Sequence, residues 1–296
     1  MKRKRFAFVM DPLETLDLRW DTSLCLLREL KRLGHSTSLF LPSSLASNGT
    51  KIHGEAHGKK WNLADFDAVF IRKDPPFDGA YLALTYLLEP LAKKTQVINH
   101  PRGIRNANEK LFGLRFVRWS PPSLVTSRAE EIFSFQTKLR SEVVVKPLYE
   151  KGGKGVFRLR RSERGASRLL RQATRGEKEM VVAQKFIPVP PGTGDKRILL
   201  WKEKVLGVFE RIPRPGEFRS NLSLGGSFRS CLLTKREKKL VQELVPELLK
   251  EGLYWTGIDV RQGWLLEVNV TSPAGLVELD QLYGGATARL AKYVGA

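Results

Sequence analysis

The chain has 296 residues, of which 42% are hydrophobic and 28% charged, and this length predicts about two structural domains. That composition supports a sizeable apolar core, so it excludes a disordered chain. With 51 Lys and Arg against 31 Asp and Glu, the formal net charge is +20. Such a charge is compatible with binding to nucleic acid, to an anionic membrane surface or to small anionic substrates, and it does not discriminate among these partners.

The cysteines and the first residues bear on the compartment. Cys25 and Cys231 are too few for a disulfide framework or an all-cysteine zinc site, which favours a reducing compartment. The basic residues 2–5 precede a short apolar run, 6–10, that meets Asp11 and is too short for a signal peptide. No apolar stretch reaches the ~20 residues of a membrane span. We therefore expect a cytoplasmic protein.

The first part of the chain alternates between strand patterns and helix patterns. Strands are predicted at 6–10, 38–41, 68–71 and 96–98, with helices from 21 to 34 and around 80–91. In the first helix, Leu24, Leu27 and Leu30 fall on one face, and Gly34 provides a C-terminal stop. Strands that alternate with helices indicate a parallel α/β sheet.

A second block begins near residue 120 and is rich in patterns of antiparallel strands. Strands are predicted at 143–147, 156–159, 180–186, 197–201, 205–210, 257–260 and 264–270. The glycine-containing turn 152–155 and the Gln262-Gly263 turn each predict a hairpin, and Thr234 with Glu237 forms the capping-box pattern of a helix over 234–250. The predicted fold class is therefore an N-terminal α/β layer followed by an α+β region of antiparallel strands.

The last predicted hairpin carries the strongest candidate site. Asp259 lies on one strand, and Glu267 and Asn269 lie two residues apart on its partner, so the side chains of Glu267 and Asn269 point to the same face. Two carboxylates and an amide oxygen form a partly open, all-oxygen set that suits Mg²⁺ bridged to phosphates. The alternative is a solvated strand face with ordinary acids.

A lysine and a glycine turn form a candidate phosphate site. Lys146 ends an apolar strand just before a turn in which Gly152 and Gly153 let backbone N–H groups approach phosphate oxygens. A plain hairpin turn with an exposed lysine is the alternative, and Lys110 is equally ambiguous.

A third candidate group is rich in arginine. Arg197 opens one predicted strand, Arg211 ends another, and the glycine-containing loop 213–226 follows with Arg219. Such a loop is the type of element that closes over a substrate and binds its carboxylates through bidentate arginine contacts. A solvated surface loop is the alternative.

Two other motifs carry less weight. The segment 53–57 resembles a zinc-protease motif, but glutamate does not directly follow its first histidine, so we predict a polar loop there. The basic blocks 158–161 and 235–239 are interpreted as part of a strand and as a solvated helix face. No nucleic-acid-binding signature accompanies them.

Short motifs are distributed over nearly the whole chain. They are residues 9–12 (VMDP), 72–78 (RKDPPFD), 108–112 (NEKLF), 146–148 (KPL), 194–197 (GDKR), 211–213 (RIP), 221–222 (NL), 225–226 (GG) and 267–273 (EVNVTSP). The strings at 72–78 and 267–273 are highly specific. In content and in order, these motifs resemble the prokaryotic glutathione synthetase family, a member of the ATP-grasp superfamily.

The resemblance implies a three-part fold and an activity. The parts are an N-terminal α/β domain over residues 1–118, a small central lid over 119–187 and a C-terminal ATP-grasp domain over 188–296. The implied enzyme is an ATP-dependent ligase that joins γ-glutamylcysteine to glycine through an acyl phosphate, with Mg²⁺, or Mn²⁺ in its place. The resemblance implies small-molecule substrates and neither a membrane nor a nucleic-acid partner, and the family is often oligomeric.

The same resemblance implies a role for each candidate residue. Lys110, Lys146 and the turn at Gly152 and Gly153 would bind the ATP phosphates. The backbone around Gln184, Lys185, Phe186 and Ile187 would hold adenine, and Asp195 would lie near the ribose. Asp259, Glu267 and Asn269 would hold Mg²⁺, and Arg197, Arg211, Arg219 and Asn221 would face the substrate carboxylates and the acyl phosphate.

The chain also departs from the family, and two alternatives stay open. Tyr149-Glu150-Lys151 stands where the family usually has Asp-Gly before its Gly-Gly, and Ser227 stands where it tends to have arginine, with Arg229 as the candidate replacement. One alternative is a paralogous ATP-grasp ligase with another acid and amine. The other, motivated by the net charge, is a nucleic-acid-binding protein on an ATP-grasp scaffold.

Overall fold

The computed structural model describes residues 2–161 and 163–296. Its first part contains β1 Arg5–Val9, α1 Thr22–Arg32, β2 Ser36–Phe40, β3 Ala46–Ser47, β4 Ile52–Ala56, β5 Lys59–Asn62, β6 Ala68–Ile71, α2 Gly79–Leu88, β7 Gln96–Ile98 and α3 Pro101–Asn106. A parallel sheet has the strand order β2-β1-β6-β7. The predicted parallel α/β sheet is confirmed.

The predicted polar loop at 53–57 is wrong, because most of that segment forms β4. This strand lies between β3 and β5 in a small antiparallel sheet. Ile52 and Ala56 are buried, and between them a Cβ on Gly54 would come within 2.8 Å of the Phe40 ring. The polar residues occupy the other face. The prediction was wrong because the polar composition indicated a loop, although the opposite face of the strand packs closely on Phe40.

The central part forms a second, antiparallel sheet. It contains β8 Ser123–Thr126, α4 Ala129–Leu139, β9 Val143–Pro147, β10 Phe157–Leu159, α5 Ala166–Ala173 and β11 Val181–Lys185, with the strand order β10-β9-β11-β8. One hydrophobic cluster lies entirely within residues 124–183 of this part. That separate core supports a central unit, although the boundaries at 119 and 187 stay a prediction.

The last part forms a five-stranded antiparallel sheet with helices. It contains β12 Asp195–Trp201, β13 Lys204–Ile212, β14 Ser227–Ser230, α6 Lys235–Lys250, β15 Trp255–Arg261, β16 Trp264–Asn269, α7 Leu276–Tyr283 and α8 Ala286–Gly295, in the strand order β14-β13-β12-β15-β16. The β15–β16 hairpin turns at Gln262 and Gly263, whose φ angles are 51° and 74°. Two positive φ values are those of a type I′ turn, and the hairpin predicted at these two residues is confirmed.

The first and last parts share their hydrophobic cores. One cluster joins Phe6 and Leu30 to Trp201 and Leu290. The buried side chain of Asn99 adds polar contacts: its Nδ2 donates to the Trp255 and Val270 carbonyls, each at 2.7 Å. This shared packing fixes the parallel sheet against the sheet that carries the candidate metal ligands. Within the described residues, no helix is long and apolar enough to cross a membrane.

The N-terminus of α6 carries the predicted capping box, and its contribution to stability can be measured. Thr234 Oγ1 accepts a hydrogen bond from the Glu237 amide at 3.2 Å, and Glu237 Oε2 accepts one from the Thr234 amide at 2.8 Å. We expect Thr234→Ala to lower the free energy of unfolding by about 1 kcal/mol. Urea denaturation should show a lower midpoint with an unchanged slope, while Lys238→Ala, at an exposed position of α6, should leave the midpoint unchanged. Equal midpoints for both variants would contradict the capping role.

Candidate active site

One pocket lies between the central sheet and the five-stranded sheet. All of the predicted site residues line it: Lys110, Lys146, Gly152, Gly153, Gln184, Lys185, Phe186, Ile187, Asp195, Arg197, Arg211, Arg219, Asn221, Asp259, Glu267 and Asn269. The two most specific motifs also meet beside it, because Arg72 Nη2 donates to the Pro273 carbonyl at 3.0 Å. The fold therefore brings segments far apart in sequence to a single cavity.

The candidate metal ligands lie side by side on the β15–β16 hairpin. Asp259 is directly opposite Glu267, and Gly257 is opposite Asn269. Asn269 Nδ2 donates to Asp259 Oδ2 at 3.3 Å and to the Gly257 carbonyl at 3.1 Å. The register shifts by one residue at Leu266, as in a β-bulge, and this shift, rather than the turn alone, brings the two carboxylates and the amide to one face of the sheet.

Two buried arginines share the Asp259 carboxylate. Arg197 Nε lies 2.6 Å from Asp259 Oδ1 and its Nη2 lies 3.1 Å from Oδ2, while Arg211 Nη2 lies 2.9 Å from Oδ1. Burial by itself raises the pKa of Asp259, but the charges and hydrogen bonds of Arg197 and Arg211 outweigh it and lower this pKa to about 2. Asp259 is therefore ionised at neutral pH and forms ion pairs with both guanidinium groups.

The donor set fits a hard divalent cation. Among the described residues, no group of three or more His, Cys, Asp and Glu side chains is arranged to hold a metal. Asp259, Glu267 and Asn269 instead combine two carboxylates and one side-chain amide, which are oxygen-bearing groups that lie next to one another on the hairpin. Mg²⁺ prefers such a partial set, because it keeps water or phosphate oxygens in its other positions.

The candidate phosphate-binding lysines reach the pocket from different segments. Lys146, at the end of β9, has its Nζ 3.3 Å from Glu267 Oε1 and 3.1 Å from Gln184 Oε1. Lys110 lies in a turn rather than a helix, and its Nζ donates to the Glu150 carbonyl at 2.6 Å. Both ammonium groups are buried, so each one is held at the pocket wall by protein oxygens.

The glycine turn and the arginine loop contact each other across the pocket. Arg219 Nη1 donates to the Gly153 carbonyl at 2.9 Å, and a Cβ on Gly153 would lie only 2.8 Å from Asn221 Oδ1. Hydrogen bonds from Arg219, above all, lower the pKa of Glu217 to about 2. Arg229, the candidate replacement for the arginine of the family motif, pairs with Glu210 at 2.7 Å and lies outside the lining of the pocket; its role stays a prediction.

The backbone after β11 remains partly available to a ligand. The amide of Lys185 donates to the Pro122 carbonyl at 2.8 Å, and that of Phe186 donates to the Glu142 carbonyl at 2.9 Å. The Ile187 amide has no acceptor among the residues the structure describes. This edge of the pocket can therefore offer a hydrogen-bond donor to a planar base.

Sequence reasoning missed several residues of the pocket. Arg261 forms an ion pair with Asp195, and Lys151 forms one with Asp74. Glu109 Oε1 accepts hydrogen bonds from the amide and the hydroxyl of Thr271, at 3.1 and 2.7 Å. Strand alternation alone was a signal for Arg261, since it lies two residues after Asp259 and shares its face.

Comparisons with known proteins address the whole chain. Residues 5–105 match the model of the prokaryotic glutathione synthetase N-terminal domain, and residues 109–284 match that of the prokaryotic glutathione synthetase ATP-grasp domain. The chain is 39% identical to a glutathione synthetase of Parasynechococcus marenigrum (strain WH8102), with 94% of each chain covered. It is 36% identical to the glutathione synthetase of Synechococcus elongatus, with 95% of this chain and 94% of that protein covered.

Solved structures show the fold. D-cycloserine synthetase DcsG superposes with a TM-score of 0.71 at 18% identity, over 98% of this chain and 99% of that chain. The macrocyclase MdnC of Microcystis aeruginosa MRC, bound to a precursor peptide, superposes with a TM-score of 0.68 at 14% identity, over 99% of this chain and 100% of that chain. The fold is that of the ATP-grasp ligases, and the chain belongs to the prokaryotic glutathione synthetase family.

Proposed function

We propose that this protein is the ATP- and Mg²⁺-dependent ligase that joins γ-glutamylcysteine to glycine. The main support is one pocket that gathers an oxygen-ligand set, two buried lysines and three buried arginines in a member of this family. A carboxylate is a poor acyl donor, so the γ-phosphoryl group first moves to the carboxylate of γ-glutamylcysteine. The amine of glycine then attacks the acyl carbon, and phosphate leaves as the amide forms.

The proposed role of Arg197 and Arg211 is to balance the substrate carboxylate and the acyl phosphate. Both guanidinium groups are buried, and both are held by Asp259. The Arg211 Nε has no hydrogen-bond partner among the described residues, so Arg211 has donor capacity left for a ligand anion. Fixed cations in a buried pocket stabilise developing negative charge without reorganisation.

The proposed metal ligands are Asp259, Glu267 and Asn269. When bound there, Mg²⁺ would offset the charge of the phosphate oxygens. Glu267 faces Lys146, so the same carboxylate also holds an ammonium group near the proposed phosphate position. Lys146 and Lys110 supply point charges there, and the turn at Gly152 and Gly153 supplies backbone donors.

The proposed adenine site is the backbone at Lys185, Phe186 and Ile187. Its support is the Ile187 amide, which no described acceptor occupies. The side chain of Gln184 has other contacts, because it accepts from Lys146 and donates to Ser123 Oγ at 3.1 Å. We therefore assign the side chain of Gln184 to holding Lys146 in place.

Arg219 is proposed to keep the loop 213–226 closed on the glycine turn and to exclude water from the acyl phosphate. We expect Arg219→Ala to preserve ATP binding and to slow amide formation about tenfold or more. Released phosphate should then exceed the glutathione formed, since water competes with glycine for the intermediate. The exposed Arg214 of the same loop provides a control, and Arg214→Ala should behave as wild type. Unchanged turnover of Arg219→Ala would remove Arg219 from the mechanism.

Phosphate release with defined substrate pairs tests the function. With γ-glutamylcysteine and glycine, the protein should release one ADP and one phosphate for each glutathione detected by mass spectrometry. Without glycine, release should fall to a slow background. If another acid and amine support release and this pair does not, the chain is instead a paralogous ligase.

The remaining proposals concern partners and compartment. We propose that nucleic acid is not a specific partner: a charge of +20 predicts weak binding that disappears as salt is raised. The two free cysteines support a reducing compartment, and we propose the cytoplasm. A homo-oligomer is proposed on the family relationship alone, and light scattering of the purified protein measures its mass.

A further inference from the structure

Arg261 is a buried cation next to the nucleotide end of the pocket, and no sequence motif accounts for it. It lies at the end of β15 and is only 5% exposed. Its Nε forms an ion pair with Asp195 Oδ1. A buried guanidinium is costly unless its charge is paired and its N–H groups find acceptors, so these contacts determine what Arg261 does.

The guanidinium of Arg261 connects three walls of the pocket. Besides Asp195 on β12, its Nη2 donates to the Phe218 carbonyl of the loop 213–226 at 2.8 Å. Its Nη1 lies 3.4 Å from the Ile187 carbonyl, beside the proposed adenine site. A single planar fork thus fixes the positions of the strand, the loop and the segment after β11 relative to one another.

Asp195 has one carboxylate oxygen left for a ligand. Arg261 occupies Oδ1, and among the described residues no donor contacts Oδ2. The amide of Asp195 donates to Ser220 Oγ at 3.2 Å, which holds the backbone as well. A carboxylate fixed through one oxygen is a directed acceptor for a hydroxyl group through the other.

We propose that Arg261 is a positioning residue that sets the ribose selectivity of this protein, by holding Asp195 so that Oδ2 accepts a hydrogen bond from a ribose hydroxyl. The inference rests on the proposed function, because it requires a nucleotide in this pocket. Without Arg261, Asp195 rotates freely and the loop loses its contact at Phe218. The preference for a ribonucleotide then disappears while the adenine and phosphate contacts remain.

The test is the equilibrium binding of ATP, 2′-deoxyATP and 3′-deoxyATP, measured by titration calorimetry. The wild-type protein should bind ATP at least about tenfold more tightly than one of the two deoxynucleotides, since a hydrogen bond to a charged group is lost. The deoxynucleotide that binds more weakly than ATP identifies which ribose hydroxyl, 2′ or 3′, donates to Asp195. Arg261→Met and Asp195→Asn should each reduce this preference to within about threefold. In steady-state assays, the KM for ATP should rise more than kcat falls.

Two further variants separate positioning from structure. Arg261→Met and Asp195→Asn each leave one buried partner unpaired, so the double variant Arg261→Met/Asp195→Asn should regain thermal stability without regaining the ribose preference. Lys196→Met is the matched control, because Lys196 lies between Asp195 and Arg197 but pairs with Glu237 at 2.8 Å, outside the pocket. It should keep the wild-type preference.

Each result has a distinct meaning. A wild-type protein that binds all three nucleotides equally overturns the role of Asp195 and Arg261 and leaves the proposed function intact. An undiminished preference in the double variant overturns the inference as well, even if the single variants fail to fold. If the wild-type protein binds no ATP, the proposed function itself fails.

Discussion

Replacing Asp259 with asparagine is expected to lower the free energy of unfolding by about 3–5 kcal/mol, because it leaves two buried arginines without their charge partner. Asp259 lies between Arg197 and Arg211, and all three side chains are at most 10% exposed. The same substitution removes one of the proposed metal ligands, so turnover should fall by about 10²–10³-fold in whatever fraction remains folded. Urea denaturation and phosphate release measure the two effects.

The pH dependence of the free energy of unfolding tests the contact between Asp259 and the two arginines independently. The pKa of Asp259 is about 2 in the folded protein, below the value of about 4 expected in the unfolded chain. The ion pair therefore stabilises the fold fully above pH ~4, and this contribution is lost as the pH falls through ~2. The Asp259→Asn protein should lack this part of the acid transition.

The same aspartate-to-asparagine substitution at an exposed position controls for the general effect of removing one carboxylate charge. Asp65 is exposed, and Asp65→Asn should change neither stability nor turnover. If Asp259→Asn is as stable and as active as Asp65→Asn, then Asp259 neither balances the arginines nor serves the reaction.

Glu267→Gln is expected to separate catalysis from stability. The Glu267 side chain is 23% exposed and lies 3.3 Å from the buried Lys146. Because Lys146 keeps its contact with Gln184 Oε1 and glutamine still offers it an oxygen acceptor, we expect the free energy of unfolding to fall by only about 1–2 kcal/mol. Loss of a proposed metal-ligating oxygen charge should nevertheless lower kcat by about 10²–10³-fold. Phosphate release across a range of Mg²⁺ and Mn²⁺ concentrations should show a higher metal requirement.

The control is Glu203→Gln, in the exposed turn between β12 and β13. This variant should have the wild-type metal requirement. A Glu267→Gln protein that keeps both its turnover and its metal dependence would show that Glu267 only pairs with Lys146.

The sequence predicted the site best where a hairpin sets the geometry. Strand alternation predicted that Glu267 and Asn269 share a face, and the Gln262-Gly263 turn predicted the hairpin. Counted from the turn alone, Asp259 would lie opposite Leu266, and its pairing with Glu267 depends on a one-residue register shift that the turn does not predict. The contact of Arg197 and Arg211 with the Asp259 carboxylate could not be predicted from a local pattern of this kind. That contact depends on β12 lying between β13 and β15, and strand order across distant segments has no local signal.

Other differences also have physical reasons. The last two helices, α7 and α8, were not predicted, since their N-cap residues are Gly275 and Gly285, which have no side chain to cap them. Side chains from outside each helix, Thr22 and Asp280, accept hydrogen bonds from their first amides instead. Without a capping residue, a helix start has no clear sequence signal. The roles of the pocket residues were predicted from family motifs, and Arg261 was missed because it belongs to none of them.

In the proposed reaction, the acid substrate is activated by phosphoryl transfer within this one pocket. The most direct measurement supplies γ-glutamylcysteine whose reacting carboxylate carries heavy oxygen, together with ATP, Mg²⁺ and glycine. Mass spectrometry should find one heavy oxygen in each phosphate released and glutathione as the product. Glutathione formed with heavy oxygen absent from the phosphate would contradict the acyl phosphate, and with it the proposed use of these arginines and lysines.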